Sequence, residues 1–369
     1  MSKNKMYETA THPKTLIIGI HAPYNKTHNI ENYYDEFVHL IESNEIIYDQ
    51  SLFIKLREVD NGYFLTKGKL EEVRALCEKE QFEEVIFSEP LSVQQERNLN
   101  ELFNCRVFDR TQLILEIFEK SAHSAEGKLQ VSIALLQHRR SRTAGKGIHM
   151  SQQSGHVGGR GPGETAKEQE MRIIDNDILK LKRELKDLGR SREVQRKKRL
   201  ESQIPLICLM GYTNTGKSTL LNQLTRSEVL AQDRLFATLD TTTRELYINH
   251  KKKGLVSDTV GFIQLLPPAL IEAFKSTLDE LRYADLLLHV VDISDGNWKE
   301  HVAVVNGILQ ELEISKEILY VFNKADKEEA RNVPALELDL FQPHVLVSAK
   351  SKDGIKPLIE FLTTWNKQS

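Results

Sequence analysis

The feature that most constrains the fold is a loop of eight residues between a short apolar strand and a helix. The sequence predicts the strand over Leu206–Met210, the loop over residues 211–218 and the helix over residues 219–225. Gly211 and Gly216 allow backbone angles and close approaches that a side chain would forbid. Because the amides of such a loop and the N-terminus of the following helix point at an anion, the pattern predicts an α/β unit with a phosphate site.

Residues 211–218 match the P-loop pattern. We therefore predict that they contact a nucleotide. Lys217 is predicted to reach the β- and γ-phosphate oxygens, and the Ser218 hydroxyl is predicted to ligate Mg²⁺. The backbone amides of the loop point at the β-phosphate. The predicted nucleotide contacts here are Gly211, Tyr212, Thr213, Asn214, Thr215, Gly216, Lys217, Ser218 and Thr219.

An acidic residue at the end of another strand extends the predicted metal site. Asp258, Thr259, Val260 and Gly261 follow a strand predicted over residues 254–257. Asp258 can hold the magnesium through water, and the amide of Gly261 can sense the γ-phosphate. Downstream of a P-loop this spacing is strong evidence, so all four residues are predicted nucleotide contacts.

A first switch is predicted between residues 233 and 244, where a threonine should supply a further Mg²⁺ ligand. Four residues compete for that role: Thr238, Thr241, Thr242 and Thr243. We favour Thr238. The predicted metal ligands are then Ser218, Thr238 and Asp258, and the predicted catalytic residues are Lys217, Thr238 and Gly261.

The residues after a third strand are predicted to choose the base. Asn323, Lys324, Ala325 and Asp326 follow an apolar strand predicted over residues 318–322. The Asp326 carboxylate can accept two hydrogen bonds, from the N1 and N2 donors of guanine. Adenine has no donors at those edges, so a buried carboxylate facing it would stay unpaired at a cost of kilocalories. The predicted ligands are therefore GTP and GDP.

Further positions support this base site. Asn323 is predicted to tie its loop to the base and to the P-loop, and the Lys324 stem can lie along the ring plane. Ser348, Ala349 and Lys350 follow a strand predicted over residues 344–347, and the Ala349 amide is available to the guanine O6. The predicted base site consists of Asn323, Lys324, Asp326, Ser348, Ala349 and Lys350.

One position lacks the side chain that the chemistry usually needs. Many such switches place glutamine directly after the second-switch glycine, where it orients the attacking water. That position is Phe262 here, which has no polar group and is expected to pack in the core. Water positioning must therefore come from elsewhere in the chain or from a partner.

The N-terminal part, residues 1–110, is predicted to be a small α/β domain. Thr15–His21 and Glu84–Phe87 are short apolar, β-branched runs suited to buried strands, and residues 70–79 and 93–103 have helical spacing. Strands that alternate with helices indicate a parallel sheet. No catalytic constellation is evident in this part of the sequence.

Residues 111–203 are predicted to form two long antiparallel helices with a basic, glycine-rich loop at their tip. The first helix is predicted over residues 111–137, and the second presents a seam of Ile174, Ile178, Leu181, Leu185 and Leu188. A run of one charge sign is predicted to lie outside the helices: Arg139, Arg140, Arg142 and Lys146. Such a run beside a long loop suits phosphate contacts with RNA. Composition alone leaves RNA contact and a disordered tip equally open.

Composition limits the remaining function classes. The chain has 369 residues and a net charge of -3, so any affinity for RNA must come from a local patch. Its three cysteines have no paired spacing, the N-terminus lacks the apolar core of a signal peptide, and no apolar run could span a bilayer. These features favour a cytoplasmic protein, and we expect a monomer.

Residues 204–369 are predicted to be a third domain, a P-loop domain with a mostly parallel sheet.

Together these motifs resemble the HflX family of translational GTPases, relatives of the Obg group, over nearly the whole chain. In the second half the resemblance rests on residues 211–218, 236–240, 258–263 and 284–292. In the first half it rests on residues 109–111, on residues 126–131 and above all on the glycine-rich block 158–165. An apolar residue at the position of Phe262 is also usual in that family. The block is shorter than usual between Gly159 and Arg160.

The resemblance implies a factor that binds the large ribosomal subunit and, with GTP, splits stalled or idle ribosomes. It also implies that the helical domain contacts ribosomal RNA and that hydrolysis is slow until the ribosome stimulates it. An alternative is an RNA-binding assembly factor for the large subunit whose release is timed by GTP. A signalling GTPase with a protein effector is a third hypothesis, but it leaves the basic run unexplained.

Overall fold

The computed structural model describes residues 12–25, 29–145, 166–201, 204–225, 235–236, 242–264, 270 and 275–367. The chain separates into two compact units, Met1–Ile114 and Leu115–Ser369. The division into domains of residues 1–110, 111–203 and 204–369 stays a prediction.

The first unit contains a four-stranded parallel sheet. Its elements are β1 (Thr15–His21), α1 (Ile30–Ser43), β2 (Gln50–Lys55), α2 (Lys67–Glu80), β3 (Glu84–Phe87), α3 (Val93–Phe103) and β4 (Arg106–Asp109). The strand order is β2-β1-β3-β4, with every neighbouring pair parallel. Helices alternate with the strands because parallel neighbours need long crossover connections.

The bounds of β1, β3 and α3 agree with those that the sequence pattern predicts. The start of α3 is fixed by a capping box, in which Ser92 Oγ accepts the Gln95 N–H at 3.2 Å and Gln95 Oε1 accepts the Ser92 N–H at 2.9 Å. α2 begins at Lys67, three residues before the predicted start, so Gly68 lies within its first turn.

Among the described residues, three helices lie between β4 and the next strand, where the sequence predicted two. α4 (Arg110–Ser121) and α5 (Ala125–Gly145) occupy the stretch predicted as one helix, and α6 (Ala166–Glu201) comes next. Ser124 separates the first two because its Oγ accepts the Gly127 N–H at 2.9 Å and so caps a new helix.

α5 and α6 pack side by side through an apolar seam. Ile133 packs with Ile174 and Ile178, and Lys167 Nζ donates to the Ala144 carbonyl at 2.6 Å, so the helices run antiparallel. Leu181 and Leu185 are partly buried in the same cluster. The predicted seam residue Leu188 is 39% exposed, where α6 extends past the start of α5.

The end predicted for the first of these helices was wrong. α5 continues to Gly145, so the arginines at 139, 140 and 142 lie on a helix rather than outside one. Ion pairs with α6 explain the difference, because Arg139 contacts Glu170 and Arg140 contacts Asp175. Acidic partners on the neighbouring helix offset the repulsion within a run of like charges.

The second unit also contains a six-stranded sheet, formed by β5 (Leu206–Met210), β6 (Thr243–Ile248), β7 (Lys251–Asp258), β8 (Leu286–Asp292), β9 (Ile318–Asn323) and β10 (His344–Leu346). Its helices are α7 (Lys217–Thr225), α8 (Lys275–Tyr283), α9 (Trp298–Glu311), α10 (Glu328–Arg331), α11 (Ala335–Leu338) and α12 (Lys356–Thr364). The strand order is β10-β9-β8-β5-β7-β6, and only the β6–β7 pair is antiparallel. The predicted α/β class with a mostly parallel sheet is confirmed.

Parallel strands bring the predicted site residues to one edge of this sheet. The P-loop follows β5, Asp258 ends β7, Asn323 ends β9, and residues 348–350 follow β10. Because the carboxyl ends of parallel strands share an edge, these segments meet there. Within the described ranges, no helix is both long enough and apolar enough to cross a membrane.

Candidate nucleotide-binding site

The two P-loop glycines stand where a side chain has no room. Gly211 has a φ of +150°, and a Cβ there would lie 2.2 Å from the Val290 carbonyl oxygen of β8. Gly216 has a φ of +89°, and a Cβ there would lie 2.4 Å from Asn323 Nδ2. Any other residue would therefore push the loop away from β8 and β9.

Lys217 is the first residue of α7 and is buried beneath the loop. Its Nζ donates to the Tyr212 carbonyl at 2.6 Å and to the Gly211 carbonyl at 3.2 Å. Burial lowers the pKa of Lys217 to about 8, and Asp258 acts in the opposite direction. The loop thus holds an ammonium group among carbonyl dipoles, with no salt bridge to it among the described residues.

Ser218 and Asp258, both predicted to act at a metal ion, are hydrogen-bonded to each other. Ser218 Oγ donates to Asp258 Oδ2 at 2.7 Å, and the Thr259 N–H donates to Asp258 Oδ1 at 2.9 Å. The described residues hold no cluster of three or more His, Cys, Asp or Glu side chains suited to a metal. A cation here would therefore take few protein ligands, which suits Mg²⁺ because it retains waters and phosphate oxygens.

Asn323 connects three loops at this edge of the sheet. Its Nδ2 donates to the Thr215 carbonyl of the P-loop at 2.8 Å, and its Oδ1 accepts the Ala349 N–H at 2.9 Å. The side chain is 2% exposed, so these bonds are shielded from water. Asn323 thus ties its loop to the P-loop, whereas the Ala349 N–H that the sequence analysis assigned to the guanine O6 donates to Asn323 in the structure.

Asp326 and Lys324 are held by neighbouring loops. Asp326 Oδ1 accepts the Ser348 hydroxyl at 2.7 Å, and Lys350 Nζ lies 3.3 Å from Asp326 Oδ2. The bond from Ser348 lowers the pKa of Asp326, which is therefore ionised at neutral pH. Lys324 Nζ pairs with Asp292 Oδ2 at 2.6 Å, which fixes the direction of its stem.

The segment after β7 is hydrogen-bonded to the P-loop backbone. The Thr213 N–H donates to the Phe262 carbonyl at 2.7 Å, and the Phe262 N–H donates to the Gly211 carbonyl at 3.1 Å. A Cβ on Gly261 would lie 2.9 Å from Thr213 Cγ2 and 3.0 Å from Lys217 Nζ. Gly261 is thus needed for this close approach, and the Phe262 side chain is buried, as expected for a core residue.

The side chain of Tyr212 links elements that the sequence did not connect. Its hydroxyl accepts the Gln264 N–H at 2.7 Å, and its ring stacks on His301 of α9 with centroids 3.8 Å apart and planes 9° apart. No spacing in the sequence indicates this contact, because Tyr212 and His301 lie far apart along the chain.

His289 is a second residue whose environment the sequence did not reveal. It lies in β8 and is 1% exposed, and its Nδ1 has no hydrogen-bond partner among the described residues. Burial, with a smaller contribution from the Lys217 charge, lowers the pKa of His289 to about 3. The imidazole is therefore neutral throughout the physiological range.

The other residues predicted to contact the nucleotide differ in how far they are exposed. Asn214 is exposed with a φ of 58°, Thr219 is half-buried in the first turn of α7, and Val260 is buried. The favoured switch threonine, Thr238, and its competitor Thr241 lie outside the described residues. Thr243 belongs to β6, where its Oγ1 donates to Ser257 Oγ at 3.2 Å.

The predicted RNA-contacting residues lie on or after α5. Besides the ion pairs of Arg139 and Arg140, Arg142 Nε donates to His138 Nε2 at 3.3 Å. Arg139 is 64% exposed and Arg140 is 46% exposed, so both remain accessible despite their acidic partners. Lys146 lies outside the described residues.

Three family models match successive parts of the chain. Residues 31–119 match a model described as GTP-binding GTPase N-terminal, and residues 121–199 match GTP-binding GTPase Middle Region. Residues 206–324 match a model described as 50S ribosome-binding GTPase.

Individual relatives match over most of their length. A GTPase HflX of Magnetococcus marinus is 42% identical over 331 residues, which cover 89% of this chain and 76% of the relative. The GTPase HflX of Escherichia coli is 41% identical, with 82% and 71% covered, and that of Spirochaeta thermophila is 36% identical, with 97% and 86% covered. A GTP-binding protein from Sulfolobus solfataricus in complex with GDP is 24% identical, with 95% and 99% covered and a TM-score of 0.48.

Proposed function

This chain belongs to the HflX family of GTPases, and on that premise we propose that it splits stalled or idle ribosomes in a GTP-dependent step. Its partner is the large ribosomal subunit with its RNA, and it acts in the cytoplasm as a monomer. The observation that carries the proposal is the match of residues 206–324 to a family described as 50S ribosome-binding GTPase.

The P-loop holds the phosphates in this proposal. Its amides and the N-terminus of α7 face the β-phosphate. Lys217 Nζ exchanges the carbonyls of Gly211 and Tyr212, at 3.2 and 2.6 Å, for γ-phosphate oxygens. The exchange is favourable because a phosphate carries full charge, whereas a carbonyl is only a dipole. A phosphate beside the ammonium also opposes the lowering of its pKa by burial.

The Ser218 hydroxyl and the Asp258 carboxylate fit a magnesium site because both offer oxygen ligands and lie 2.7 Å apart. Bound there, Mg²⁺ would neutralise charge on the nucleotide phosphates. Ser218 would hold it directly, and Asp258 would hold it through water. Thr238 is the proposed ligand from the first switch.

Asp326 selects guanine. Its ionised carboxylate can only accept hydrogen bonds, which complements the N1 and N2 donors of that base. Asn323 keeps the base loop in register with the P-loop through its bonds to Thr215 and Ala349, at 2.8 and 2.9 Å. Lys324 lies along the ring, held by Asp292.

Hydrolysis is slow in the free protein and fast on the ribosome. Phe262 occupies the position of the usual water-orienting glutamine and is buried, so it has no group to offer a water molecule. Docking on the large subunit orders the switch segments or supplies the missing group. The protein therefore keeps its GTP intact until it has docked on the large subunit.

Sedimentation tests the proposal. Intact ribosomes are mixed with the protein and a non-hydrolysable GTP analogue, and the subunits are separated on a sucrose gradient. We expect free subunits, with the protein on the large one. The Lys217→Ala variant is the control, because it loses the cation that holds the γ-phosphate. Intact ribosomes at saturating protein would contradict splitting.

A GTP-timed assembly factor for the large subunit is the second candidate. It is favoured by the description of the matched family, which refers to the large subunit alone. Such a factor binds free or immature large subunits without separating intact ribosomes. The same gradients distinguish it, since protein would then travel with added large subunits while intact ribosomes stay whole.

A further inference from the structure

Thr213, the third residue of the P-loop, has a hydroxyl that the loop itself does not use. The residue is 6% exposed, and Thr213 Oγ1 has no hydrogen-bond partner among the described residues. Buried polar groups in folded proteins nearly always have a partner, so each exception needs a physical explanation.

Nearby hydroxyls of the described residues do have partners. Thr215 Oγ1 donates to the Tyr212 carbonyl at 3.0 Å, Thr259 Oγ1 donates to the Leu209 carbonyl at 2.7 Å, and Ser218 Oγ donates to Asp258 at 2.7 Å. Thr213 therefore differs from other buried hydroxyls at the same edge of the sheet.

The position of Thr213 suits a role in the reaction. Its N–H is fixed by the Phe262 carbonyl at 2.7 Å. Its methyl carbon and Lys217 Nζ lie 2.9 and 3.0 Å from one point, the place where a Cβ on Gly261 would be. The threonine is thus clamped between the lysine that reaches the γ-phosphate and the glycine whose amide senses it.

We propose that the Thr213 hydroxyl positions the attacking water for GTP hydrolysis and so performs part of the task that Phe262 cannot. This role rests on the proposed nucleotide site. A hydroxyl has one donor and two acceptor positions, so it can donate to a γ-phosphate oxygen while it accepts from the water. Held in this way, the water lies close to the phosphorus before the reaction starts.

GTP hydrolysis leaves the side chain of Thr213 chemically unchanged. The water oxygen forms a bond to the γ-phosphorus as the bond from that phosphorus to the β–γ bridging oxygen breaks. The electron pair leaves on GDP, and the proton of the water passes to the released phosphate or to solvent. Thr213 only orients the water, so its hydroxyl is intact for the next turnover.

Three substitutions separate the hydroxyl from the shape of the side chain. Thr213→Val keeps the shape and removes the hydroxyl, Thr213→Ser keeps the hydroxyl, and Thr213→Ala removes it together with the methyl group. Thr225→Val is the matched control, since the Thr225 hydroxyl bonds to the Leu221 carbonyl at 2.8 Å within α7. Each variant is tested for GDP affinity and for single-turnover hydrolysis at saturating GTP and Mg²⁺.

We expect Thr213→Val and Thr213→Ala to hydrolyse GTP about tenfold to a hundredfold more slowly than the wild type. Their affinity for GDP should stay within about threefold, and Thr213→Ser and Thr225→Val should keep wild-type rates. Hydrolysis by Thr213→Val at the wild-type rate would overturn the proposal. If Thr213→Val fails to bind GDP, the serine and alanine variants decide, because equal rates for those two would exclude a role for the hydroxyl.

The hydrolysis rates of the Thr213 variants are measured without ribosomes, so they test the proposed role of Thr213 separately from ribosome splitting. A wild-type protein that neither binds nor hydrolyses GTP would overturn the nucleotide site itself. A wild-type protein that hydrolyses GTP but leaves ribosomes intact would overturn only the splitting function, and the comparison of Thr213 variants would still stand.

Discussion

Both oxygens of the Asp326 carboxylate have contacts in the structure, with Ser348 Oγ at 2.7 Å and Lys350 Nζ at 3.3 Å. The hydrogen bond from Ser348 lowers the pKa of Asp326, so this group is an acceptor at neutral pH. Each oxygen has more than one acceptor position, so guanine can be bound without loss of either contact.

The Asp326→Asn variant should therefore change the base that is preferred. GTP binding should weaken at least tenfold, as expected when one bidentate acceptor is lost. Xanthine nucleotides should bind better than to the wild type, because the carboxamide can donate to the O2 of xanthine. Competition against a fluorescent GDP measures both effects. Asp353→Asn, at a position 86% exposed, is the control, and unchanged GTP affinity in Asp326→Asn would show that the base site lies elsewhere.

His289 should make the stability of its unit sensitive to acid. Its pKa is lowered from 6.5 to about 3, so between those values the unfolded chain binds a proton that the folded chain excludes. Stability is then lost as the pH falls below 6.5. At pH 5 the loss should be about 2 kcal/mol relative to neutral pH.

The His289→Leu variant should lose this part of the acid sensitivity. Urea unfolding at pH 7.5 and pH 5 measures it, as the difference between the two free energies of unfolding. That difference should be smaller in the variant than in the wild type by about 2 kcal/mol. His250→Asn is the control, because His250 is exposed in a hairpin turn with a φ of 61° that asparagine tolerates. Equal pH dependence in His289→Leu and wild type would show that His289 is not the group responsible.

The sequence could predict which residues lie in short motifs, but it could not predict contacts between residues far apart in the chain. The tie from Asn323 to the P-loop follows from a tetrapeptide and its place after a strand. The stacking of Tyr212 on His301, and the burial of His289 near Lys217, depend on how strands and helices pack. Nothing in the local pattern encodes them.

Between elements, the clearest coupling joins the P-loop to the segment after β7. Two backbone hydrogen bonds, at 2.7 and 3.1 Å, connect Thr213 and Gly211 with Phe262. The Tyr212 hydroxyl adds a third bond, from the Gln264 N–H at 2.7 Å, and its ring extends the connection to α9 through His301. The position of the Gly261 amide therefore depends on the P-loop.

The Tyr212→Phe variant should weaken this coupling and leave the rest of the loop in place. Loss of the bond to Gln264 should lower stability by about 1 kcal/mol. GTP hydrolysis should slow about threefold to tenfold because the Gly261 amide is held less firmly. Single-turnover assays and thermal unfolding measure these effects, with Tyr247→Phe as the control because the Tyr247 side chain on β6 is exposed. A hydrolysis rate within twofold of the wild type would argue against the coupling.

Element bounds were predictable where the causes are local. β1, β3, α3 and β5 follow from apolar runs and helical spacing, and the observed bounds are the same. The C-terminal end of α5 was not predictable, since the acids that stabilise it come from α6. A break at Ser124 was missed because one side-chain cap competes there with a continuous helical pattern.

Within the second unit, α4 contacts a residue of the predicted first switch. Phe236, from the predicted first switch, is 2% exposed, and its ring centroid lies 4.5 Å from that of Phe118 on α4. The packing of Phe236 therefore joins one residue of the predicted first switch to α4.

The proposed partner of the basic residues of α5 is a ribosomal subunit. The pairs of Arg139 with Glu170 and of Arg140 with Asp175 are exposed. Exposed ion pairs contribute about 0–1 kcal/mol each, so removing them should not unfold the helices. Their arginines can also leave these partners for phosphate groups at little cost.

Replacement of the four basic residues by glutamine should weaken binding to the large subunit; the residues changed are Arg139, Arg140, Arg142 and Lys146. The slope of the logarithm of the binding constant against the logarithm of salt concentration should become shallower by roughly one unit per lost phosphate contact. Intrinsic GTP hydrolysis should not change, because these residues lie outside the P-loop and its neighbouring loops. Stimulation of GTP hydrolysis by the subunit should fall, and so should splitting of ribosomes.

The matched control is Glu170→Gln with Asp175→Asn, which breaks the same ion pairs but keeps the positive charge. This variant should bind the large subunit as well as the wild type or better. GTP turnover with and without large subunits, across a range of salt, measures these effects. Equal losses in both variants would mean that the ion pairs only support the helices, and normal stimulation in the neutralised variant would show that the subunit does not contact this run.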